Sequence, residues 1–463
     1  MKKRSLLLFF IFHSAIIFAQ NKSSILAGPM LGYVELRTAN IWCEVSPQTQ
    51  KVSLTFKKNG TSEPGRSIVH NGSLGSDFNP VSFYLTGLDF NTTYQYEITA
   101  VANQKPSKVS GKFTTTDLWQ YRKNIPDFTF LAGSCAYFNE PAVDRKYAEF
   151  TNPETPAKPY GSDSTIFETM AKENAAFNIW LGDNWYYREV DYGSGWGMNY
   201  RASITRKLPI LQNLMKAMPQ LAIWDDHDYG PNDSDKSYQL KKQSLEIFKN
   251  YWANPSYGQN GEGIYTKFSF CDAEFFLMDD RWFRSSDKML STINGQPNPN
   301  KRMWGQQQLD WLKNALSGSL ANFKIIVTGS QTLNPVSPWD CLQSYPIEFN
   351  DLMNFLDQQK INGVLFLTGD RHHSEIIKYD RPEIYPLYDI TSSPLTSGIG
   401  KVSGKEVNND ARIQGTLIEA QNYARITVSG PPRERKLKVE FVGIKGEKLG
   451  EWSIAAADLR PKQ

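Results

Sequence analysis

Six short apolar runs, spread between residues 128 and 373, constrain the fold of this chain more than any other feature. Each run has the length of a β-strand and ends in Gly, Asp, Ser, His or Arg. The runs are FTFLAGSC, FNIWLGDN, QLAIWDDHD, AEFFLMDDR, KIIVTGSQ and VLFLTGDRHH. Between several of them lie helical patterns, which are STIFETMAKENA, YRASITRKLPILQNLMKA, QQQLDWLKNAL and EFNDLMNFLDQQK. Strands that alternate with helices predict an α/β fold, and we expect a layered α-β-β-α core.

The residues before these runs have a different pattern. From Ile25 to about Thr116, segments such as ANIWCEV, KVSLTF and TYQYEITAV alternate apolar and polar residues at a period of two. Short strands at regular spacing predict a β-sandwich, and GLDFNTTYQYEI resembles the fibronectin type III pattern. We therefore predict an all-β, fibronectin- or Ig-like sandwich over residues 21–118, a linker around Asp117 to Ile125, and a second domain over residues 125–463. The last segments, ARITVSG and KLKVEFVGIKGEKLGEWSI, predict a closing β-meander.

The first twenty residues predict a secretory signal peptide. Residues 2–4 are basic, and the apolar stretch from Leu6 to Phe18 that follows is too short to span a bilayer comfortably. Ala19 and Gln20 form a candidate cleavage zone, and the alternative is an uncleaved anchor. The leader has no twin-arginine pair and no cysteine for lipid attachment, and no later stretch has the length and apolarity of a membrane helix. We expect a secreted or periplasmic protein.

Charge and cysteine content exclude several classes of protein. The net charge is +3 and the basic residues form no long run, so nothing indicates a nucleic-acid partner. Four cysteines lie far apart, which is not the pattern of a disulfide-dense scaffold, although one or two bridges are permitted; they are Cys43, Cys135, Cys271 and Cys341. The high aromatic content suits β-structure and aromatic-lined clefts alike.

Chemically active residues cluster at the ends of the six runs. The chain has five histidines, and the three in the second domain, His227, His372 and His373, all follow such a run. Because α/β folds place ligands at the carboxyl ends of their strands, we expect these groups to converge. Carboxylates packed together repel one another unless cations neutralise them, and a mixed set of O, N and S donors suits a dinuclear site. Each motif alone could be an acidic turn or a surface ion pair, but together they predict a metal site.

Five motifs carry a resemblance to a known family. GSC, GDNWYY, WDDHDYGPND, DDRWFR and TGDRHHSE, in this order, resemble the alkaline phosphatase D (PhoD-like) family of metallophosphoesterases. The resemblance covers nearly the whole mature chain, since that family also carries a fibronectin-like N-terminal domain. It implies a metallophosphoesterase-like α-β-β-α sandwich over residues 125–463. It also implies hydrolysis of phosphate monoesters, diesters or both by a metal-activated hydroxide.

The resemblance assigns metal ligands to matching positions. Asp183 of GDN resembles the carboxylate that bridges both metals. Asp226 occupies the place of the metal-binding Asn in the generic motif GNH. GDRH corresponds to GHxH, which implies that Asp370 binds one metal and His372 the other.

The same resemblance indicates which metals to expect. Cys135 and Tyr186 match the thiolate and phenolate that hold a ferric ion in the best-known branch, where calcium fills the other position. We therefore expect two or more metal ions, most simply Ca²⁺ and Fe³⁺, with Zn²⁺, Mn²⁺ or Mg²⁺ as alternatives. The best-known branch is exported through a twin-arginine signal, which this leader lacks, and that difference puts the iron in question.

Catalytic roles follow from the remaining motif positions. His227 matches the catalytic histidine, which would protonate the leaving alkoxide. Arg281 and Arg284 fit the family's D-x-R-x-x-R stretch, where guanidinium groups suit the bidentate geometry of a phosphate. Strand alternation predicts that His372 faces the metals and that His373 points away from them. Residues expected behind the ligands are Asn184, Asp225, Asp233 and His373.

Three functions remain open at this point. The first is a phosphomonoesterase that scavenges phosphate outside the membrane. The second is a phosphodiesterase or phospholipase-like enzyme that acts on lipid or cell-envelope substrates. The third is a non-catalytic surface- or glycan-binding protein, suggested by the aromatic residues and the β-sandwich. The expected partner for either enzyme is a small-molecule or lipid phosphate ester.

Overall fold

The computed structural model describes residues 23–140, 160–337, 340–381 and 384–461. The predicted signal peptide, residues 1–20, lies outside these ranges. Within them, the longest apolar helices are too short or too polar to cross a bilayer.

The N-terminal part of the chain consists of antiparallel strands in two sheets. The strands are β1 (Ile25–Val34), β2 (Ala39–Val45), β3 (Thr49–Lys58), β4 (Arg66–Val69), β5 (Asn79–Leu85), β6 (Thr93–Ala102) and β7 (Lys105–Thr114). One sheet has the order β1-β2-β5 and the other β4-β3-β6-β7. Every second residue of β6 is buried, including Tyr94, Tyr96 and Ile98. The alternation that the sequence predicts therefore points one face of this strand into the core of a β-sandwich.

The second part of the chain is built on two six-stranded sheets. The first has the order β10-β9-β8-β19-β20-β21 and the second β11-β12-β15-β16-β18-β17. Their strands are β8 (Phe128–Gly133), β9 (Asn178–Leu181), β10 (Gln220–Ile223), β11 (Thr266–Phe270), β12 (Ala273–Leu277), β15 (Phe323–Thr328), β16 (Val364–Thr368), β17 (Glu375–Tyr379), β18 (Leu387–Thr391), β19 (Asn422–Ser429), β20 (Lys436–Gly443) and β21 (Lys448–Ala455). A separate short hairpin is formed by β13 (Thr292–Ile293) and β14 (Gln296–Pro297).

Parallel strands lie in each large sheet. In the first sheet β8, β9 and β10 run parallel, and β19, β20 and β21 add to them as the predicted antiparallel meander. In the second sheet β12, β15, β16 and β18 run parallel. Because parallel strands share one carboxyl edge, the motifs that follow them meet at one edge of each sheet.

Seven α-helices lie among the described residues of the second part of the chain. The helices are α1 (Ile166–Ala171), α2 (Gly195–Arg206), α3 (Pro209–Ala217), α4 (Asp226–Tyr229), α5 (Lys241–Tyr251), α6 (Gly305–Gly318) and α7 (Pro346–Gln358). The continuous helical pattern YRASITRKLPILQNLMKA is divided between α2 and α3, because Pro209 lies in the first turn of α3 and cannot continue a preceding helix.

Aromatic contacts define the order of the layers. Phe130 of β8 contacts Phe275 of β12 at 5.1 Å between ring centroids, so the two sheets pack face to face. The next residue of β12, Phe276, points the other way and contacts Trp311 of α6 at 6.5 Å. On the other side of the first sheet, Trp180 of β9 contacts Phe167 of α1 at 5.8 Å between ring centroids. This order of helix, sheet, sheet and helix is the predicted α-β-β-α arrangement.

The N-terminal sandwich packs directly on the second part of the chain. The indole nitrogen of Trp42 donates to the backbone oxygen of Asn250 at 2.7 Å. The buried carboxylate of Glu44 accepts from Ser203 Oγ at 2.6 Å. The strands up to Thr114 and those from Phe128 onward form separate sheets, while the exact division at residues 118 and 125 stays a prediction.

Candidate metal centre

Turns from both large sheets meet at one place. Cys135 follows β8, Asp183 follows β9 and Asp370 follows β16. Cys135 Sγ lies 3.6 Å from Asp183 Oδ2 and 3.5 Å from the backbone oxygen of Asp370. The strand ends that the sequence singles out therefore converge in space, although they are separated along the chain by up to 235 residues.

Four residues at this place have left-handed backbone conformations. The φ angles are 62° at Cys135, 54° at Asp183, 67° at Asp370 and 57° at His372. Such angles are uncommon outside glycine and cost free energy, so they persist where the surrounding structure enforces them. Their concentration at one cluster of polar side chains is typical of a functional site.

One group of potential ligands combines sulfur, nitrogen and oxygen. Cys135, Asp183 and His372 each offer an atom, and the three atoms lie within 4.8 Å of one another. The hydroxyl of Tyr186 donates to Asp183 Oδ2 at 2.9 Å, which brings a phenol to the same point. The hydroxyl of Tyr160 lies 3.1 Å from Nδ1 of His372, a contact of the kind that orients a metal-binding imidazole.

A second group of potential ligands shares Asp183 with the first. Asp183, Asp226 and His227 offer atoms that also lie within 4.8 Å of one another. A carboxylate common to two such groups has the placement of a bridge between two metal positions. The ring of His227 stacks on Tyr186 at 4.2 Å, so this histidine stands next to both groups. Its assignment to catalysis rather than ligation stays a prediction.

Several acidic groups of the cluster have raised pKa values, which nearby positive charge would lower. Burial raises the pKa of Asp183 well above its usual range, and the nearby carboxylate of Asp226 raises it further. Burial, together with the charge of Asp340, raises the pKa of Asp370 to about 7. Burial also raises the pKa of the Cys135 thiol. Metal ions fit this set of residues, because a divalent or trivalent charge would favour the ionised form of every one of them.

A cavity of about 800 Å³ opens over these groups. Its lining includes Asp183, Asp226, His227, Asp370, His372 and His373. Strand alternation predicts that His373 points away from the metals, but both His372 and His373 line the cavity. The left-handed backbone at His372 breaks the extended conformation, so the side chains no longer alternate. Nε2 of His373 lies 3.6 Å from Glu375 Oε1.

Arg281 and Arg284 lie beneath the cavity, and neither is among the described residues that line it. Nε of Arg281 donates to Asp225 at 2.6 Å, and its NH2 group lies 2.7 Å from Asp340. NH2 of Arg284 lies 2.6 Å from the same carboxylate of Asp340. The guanidinium groups thus bind carboxylates of the protein in this structure. Their predicted contact with a substrate phosphate stays a prediction.

Arg371 is a cavity residue that the sequence argument passed over. It lines the cavity between Asp370 and His372. Its guanidinium holds Glu406 through two hydrogen bonds, of 2.7 and 2.9 Å, and donates to Gln331 at 3.1 Å. The sequence could have indicated Arg371, because this residue lies inside the motif GDRHH between two proposed ligands.

The remaining predicted residues lie around the cluster. The side-chain amide of Asn184 donates to the backbone oxygen of Ile223 at 2.8 Å and so faces the interior. Asp233 lies near the cavity mouth, where its backbone nitrogen donates to Asp226 Oδ2 at 2.8 Å. All four cysteines fall in the described ranges, and each is a free thiol.

The sequence is similar to those of known phosphatases. A family model for PhoD-like phosphatases matches residues 134–428. Alkaline phosphatase D of Bacillus subtilis (strain 168) is 25% identical in an alignment 362 positions long, and the alignment covers 68% of this chain and 56% of that protein. The chain therefore spans little more than half the length of this relative.

Two solved structures share the fold. A structure of PhoD matches with a TM-score of 0.72 at 18% identity and covers 95% of this chain and 92% of that chain. A purple acid phosphatase from yellow lupin (Lupinus luteus) seeds matches with a TM-score of 0.65 at 10% identity, over 94% of this chain and 76% of that chain. These matches confirm the predicted fold class. Because the family model covers more than half of the sequence, the chain belongs to the PhoD-like phosphatase family.

Proposed function

We propose that this chain is an exported, metal-dependent phosphoesterase that hydrolyses phosphate monoesters, diesters or both. One observation carries the proposal: Asp183 belongs to two groups of potential ligands at the base of a cavity. Two adjacent metal positions that share a carboxylate suit the hydrolysis of phosphate esters. Membership in a family of phosphatases supports the same activity.

The donor atoms support a mixed pair of metals. One position would be held by Cys135, Asp183, Tyr186 and His372. The other would be held by the carboxylates of Asp183, Asp226 and Asp370. A thiolate and a phenolate favour a ferric ion in the first position, whereas oxygen donors suit calcium or another hard divalent ion in the second. Metal ions bound here would supply Lewis acidity and activate the attacking water.

His227 is the proposed general acid. Its ring lies at the cavity wall, stacked on Tyr186, and its backbone nitrogen donates to Asp226 Oδ1 at 3.0 Å. Burial lowers the pKa of His227. What supports the role is the place of His227 at the cavity wall beside both groups of potential ligands.

Positive side chains around the cavity suit an anionic substrate. Arg371 is held at the wall by Glu406, and Lys301 also lines the cavity. Arg281 and Arg284 add positive charge from below, although Asp225 and Asp340 offset much of it. Because Arg371 lines the cavity, we propose that it also lies near a bound phosphate group. The contact of Arg281 and Arg284 with the phosphate remains part of the proposal.

A diester or lipid phosphate is the second candidate substrate. The cavity volume of about 800 Å³ exceeds what one phosphate group needs, so the site has room for a second substituent. The third possibility, a non-catalytic binding protein, is disfavoured because every predicted ligand type is present at the cluster. Export is proposed from the leader sequence alone.

Substrate comparison tests the proposal. The mature chain, supplied with calcium and iron, should hydrolyse an aryl phosphate, a bis-aryl phosphate or both. Asp183→Asn should abolish turnover of each, because it removes the carboxylate common to both ligand groups. Cys271→Ser, which changes a thiol outside the cluster, should retain the wild-type rate. Absence of turnover on both ester types by metal-loaded wild type would overturn the proposal.

A further inference from the structure

One buried serine contacts two of the residues proposed to hold the first metal ion. The hydroxyl of Ser393 donates to Cys135 Sγ at 3.2 Å. The same oxygen accepts from the backbone nitrogen of His372 at 3.0 Å. Ser393 is fully buried, and it belongs to none of the five motifs that resemble the phosphatase family. The sequence alone therefore gives no reason to single it out.

The topology of the second large sheet explains the position of Ser393. Strands β16 and β18 run parallel, and Thr368 of the first is paired with Thr391 of the second. Asp370 lies two positions after Thr368, and Ser393 lies two positions after Thr391. Because parallel strands share one carboxyl edge, Ser393 reaches the same edge of the sheet as Asp370.

The backbone of Ser393 is fixed by hydrogen bonds on both sides. Its nitrogen donates to Ser374 Oγ at 3.0 Å, and its oxygen accepts from the side-chain amide of Asn422 at 2.9 Å. Both partners are fully buried. These bonds hold the main chain in place, so the hydroxyl stays between Cys135 and His372.

A second hydroxyl lies near the sulfur but is bonded elsewhere. Ser134 Oγ is 3.5 Å from Cys135 Sγ, and it donates its hydrogen to the backbone oxygen of Ser392 at 3.0 Å. The oxygen of Ser393, in contrast, accepts from His372 and directs its own hydrogen at the sulfur. Of the two serines, Ser393 is therefore the closer donor to Cys135.

The two hydrogen bonds of Ser393 would act on different properties of the metal position. A donor to a metal-bound thiolate draws electron density from the sulfur, which raises the energy of charge transfer to the metal and the reduction potential. The other bond supports the backbone of His372, whose φ of 57° is a costly conformation. That bond would keep the imidazole in the orientation that ligation needs.

We propose that Ser393 is a positioning residue of the first metal position, where it limits the charge donated by the Cys135 sulfur and holds the backbone of His372. The proposal rests on the metal-dependent function proposed above and deepens it. Ser393 is not among the described residues that line the cavity, so it acts through the two ligands rather than on the substrate.

Cobalt titration tests this role. Co²⁺ is added to the metal-free mature chain, and the thiolate-to-cobalt charge-transfer band reports the bond to sulfur independently of turnover. Cys135→Ser should remove the band, which assigns it to this thiolate. Ser393→Ala removes the donor. Ser392→Ala is the matched control, because Ser392 is also fully buried and its hydroxyl bonds the backbone of Ala132 and Ala424, at 3.0 Å each.

In Ser393→Ala the band should move to longer wavelength, because a sulfur without its donor gives charge to the metal more readily. The affinity for Co²⁺ should fall roughly tenfold, since the backbone of His372 loses its partner. Ser392→Ala should match wild type in both measurements. Ser393→Thr, which keeps the hydroxyl, should keep the band near that of wild type. Thermal unfolding checks that each variant is folded.

Two outcomes would overturn the tuning of the sulfur and leave the proposed function in place. They are a Cys135-dependent band that Ser393→Ala leaves unshifted and an equal shift in Ser392→Ala. An unchanged affinity in folded Ser393→Ala would overturn the hold on His372. Wild type without a Cys135-dependent band would overturn both the first metal position and the role of Ser393. A shift confined to Ser393→Ala, in a chain that hydrolyses no phosphate ester, would support Ser393 and overturn the proposed function.

Discussion

The carboxylate of Asp228 accepts hydrogen bonds from both the backbone amide and the side-chain amide of Asn184, with a distance of 3.1 Å to the backbone nitrogen. Its other oxygen accepts from the backbone nitrogen of Asp225 at 2.6 Å. Asp228 is fully buried. It therefore ties the turn after β9 to the turn after β10, and these two turns carry the proposed ligands Asp183 and Asp226.

Asp228→Asn should weaken metal binding. In this variant an NH₂ group replaces one carboxylate oxygen. Because an NH₂ group donates hydrogen bonds, it cannot accept one from a backbone N–H group, and the two turns lose a shared acceptor. We expect the affinity for metal to fall roughly 10- to 100-fold, the usual effect of removing a group that supports a ligand. Metal titration followed by turnover measures this loss. Asp410→Asn, at an exposed carboxylate, should change nothing, and an unaltered affinity in Asp228→Asn would contradict the argument.

His227→Ala should reduce turnover by roughly a hundredfold or more, which is the usual contribution of a general acid. The loss should be smaller for aryl esters with very good leaving groups, because these need little protonation. Metal content, measured on the same preparations, should change less than turnover. An equal penalty for all leaving groups would exclude the general-acid role, and loss of a metal ion from the variant would assign His227 to ligation instead.

Iron in the first metal position should colour the protein. A thiolate and a phenolate on a ferric ion absorb visible light by charge transfer, so concentrated wild type should be tinted and contain about one iron per chain. Cys135→Ser and Tyr186→Phe should each shift or bleach the band and lower turnover. Cys271→Ser should do neither. A colourless and fully active protein that contains only zinc or calcium would refute iron and leave the phosphoesterase proposal in place.

Arg435 should be important for stability rather than for catalysis. Its buried guanidinium bonds Asp272 at 3.0 and 2.8 Å and Asp127 at 2.6 Å, which joins β20 to the start of β8 and to the turn before β12. Arg435→Ala would leave Asp272 buried with its charge largely uncompensated. We expect the free energy of unfolding to fall by about 3–5 kcal/mol in denaturant titrations. Arg433→Ala, at an exposed neighbouring arginine, should have little effect, and equal losses in both variants would contradict this account.

The sequence predicted which strand ends meet at the candidate site. Period-two alternation located the strands of the sandwich, and the apolar runs located β8, β9, β10 and β16, because both signals come from burial along a single strand. Cys135 lies beside Asp183 because the parallel strands β8 and β9 share one carboxyl edge. Asp370 meets them from the other sheet, because the two sheets pack face to face. A single sequence is enough to predict these features, because they depend on local pattern and on general rules of topology.

Other features depend on contacts that no local pattern encodes. The left-handed backbone at His372 turned His373 into the cavity, which strand alternation could not foresee. Asp340, from a distant loop, contacts both Arg281 and Arg284, and their motif does not encode this pair of contacts. Tyr160 reaches His372 from 212 residues away and lies outside every motif that drew attention.

Metal removal tests the central claim most directly. Burial raises the pKa values of the Asp183 and Asp370 carboxyl groups, so bound cations would favour their ionised forms. Wild type should contain about two metal ions per chain, lose all turnover of aryl phosphate esters after dialysis against a strong chelator, and recover it when calcium and iron are restored. Asp183→Asn should hold neither ion firmly. Full turnover by a chain from which elemental analysis finds all metal removed would contradict the account.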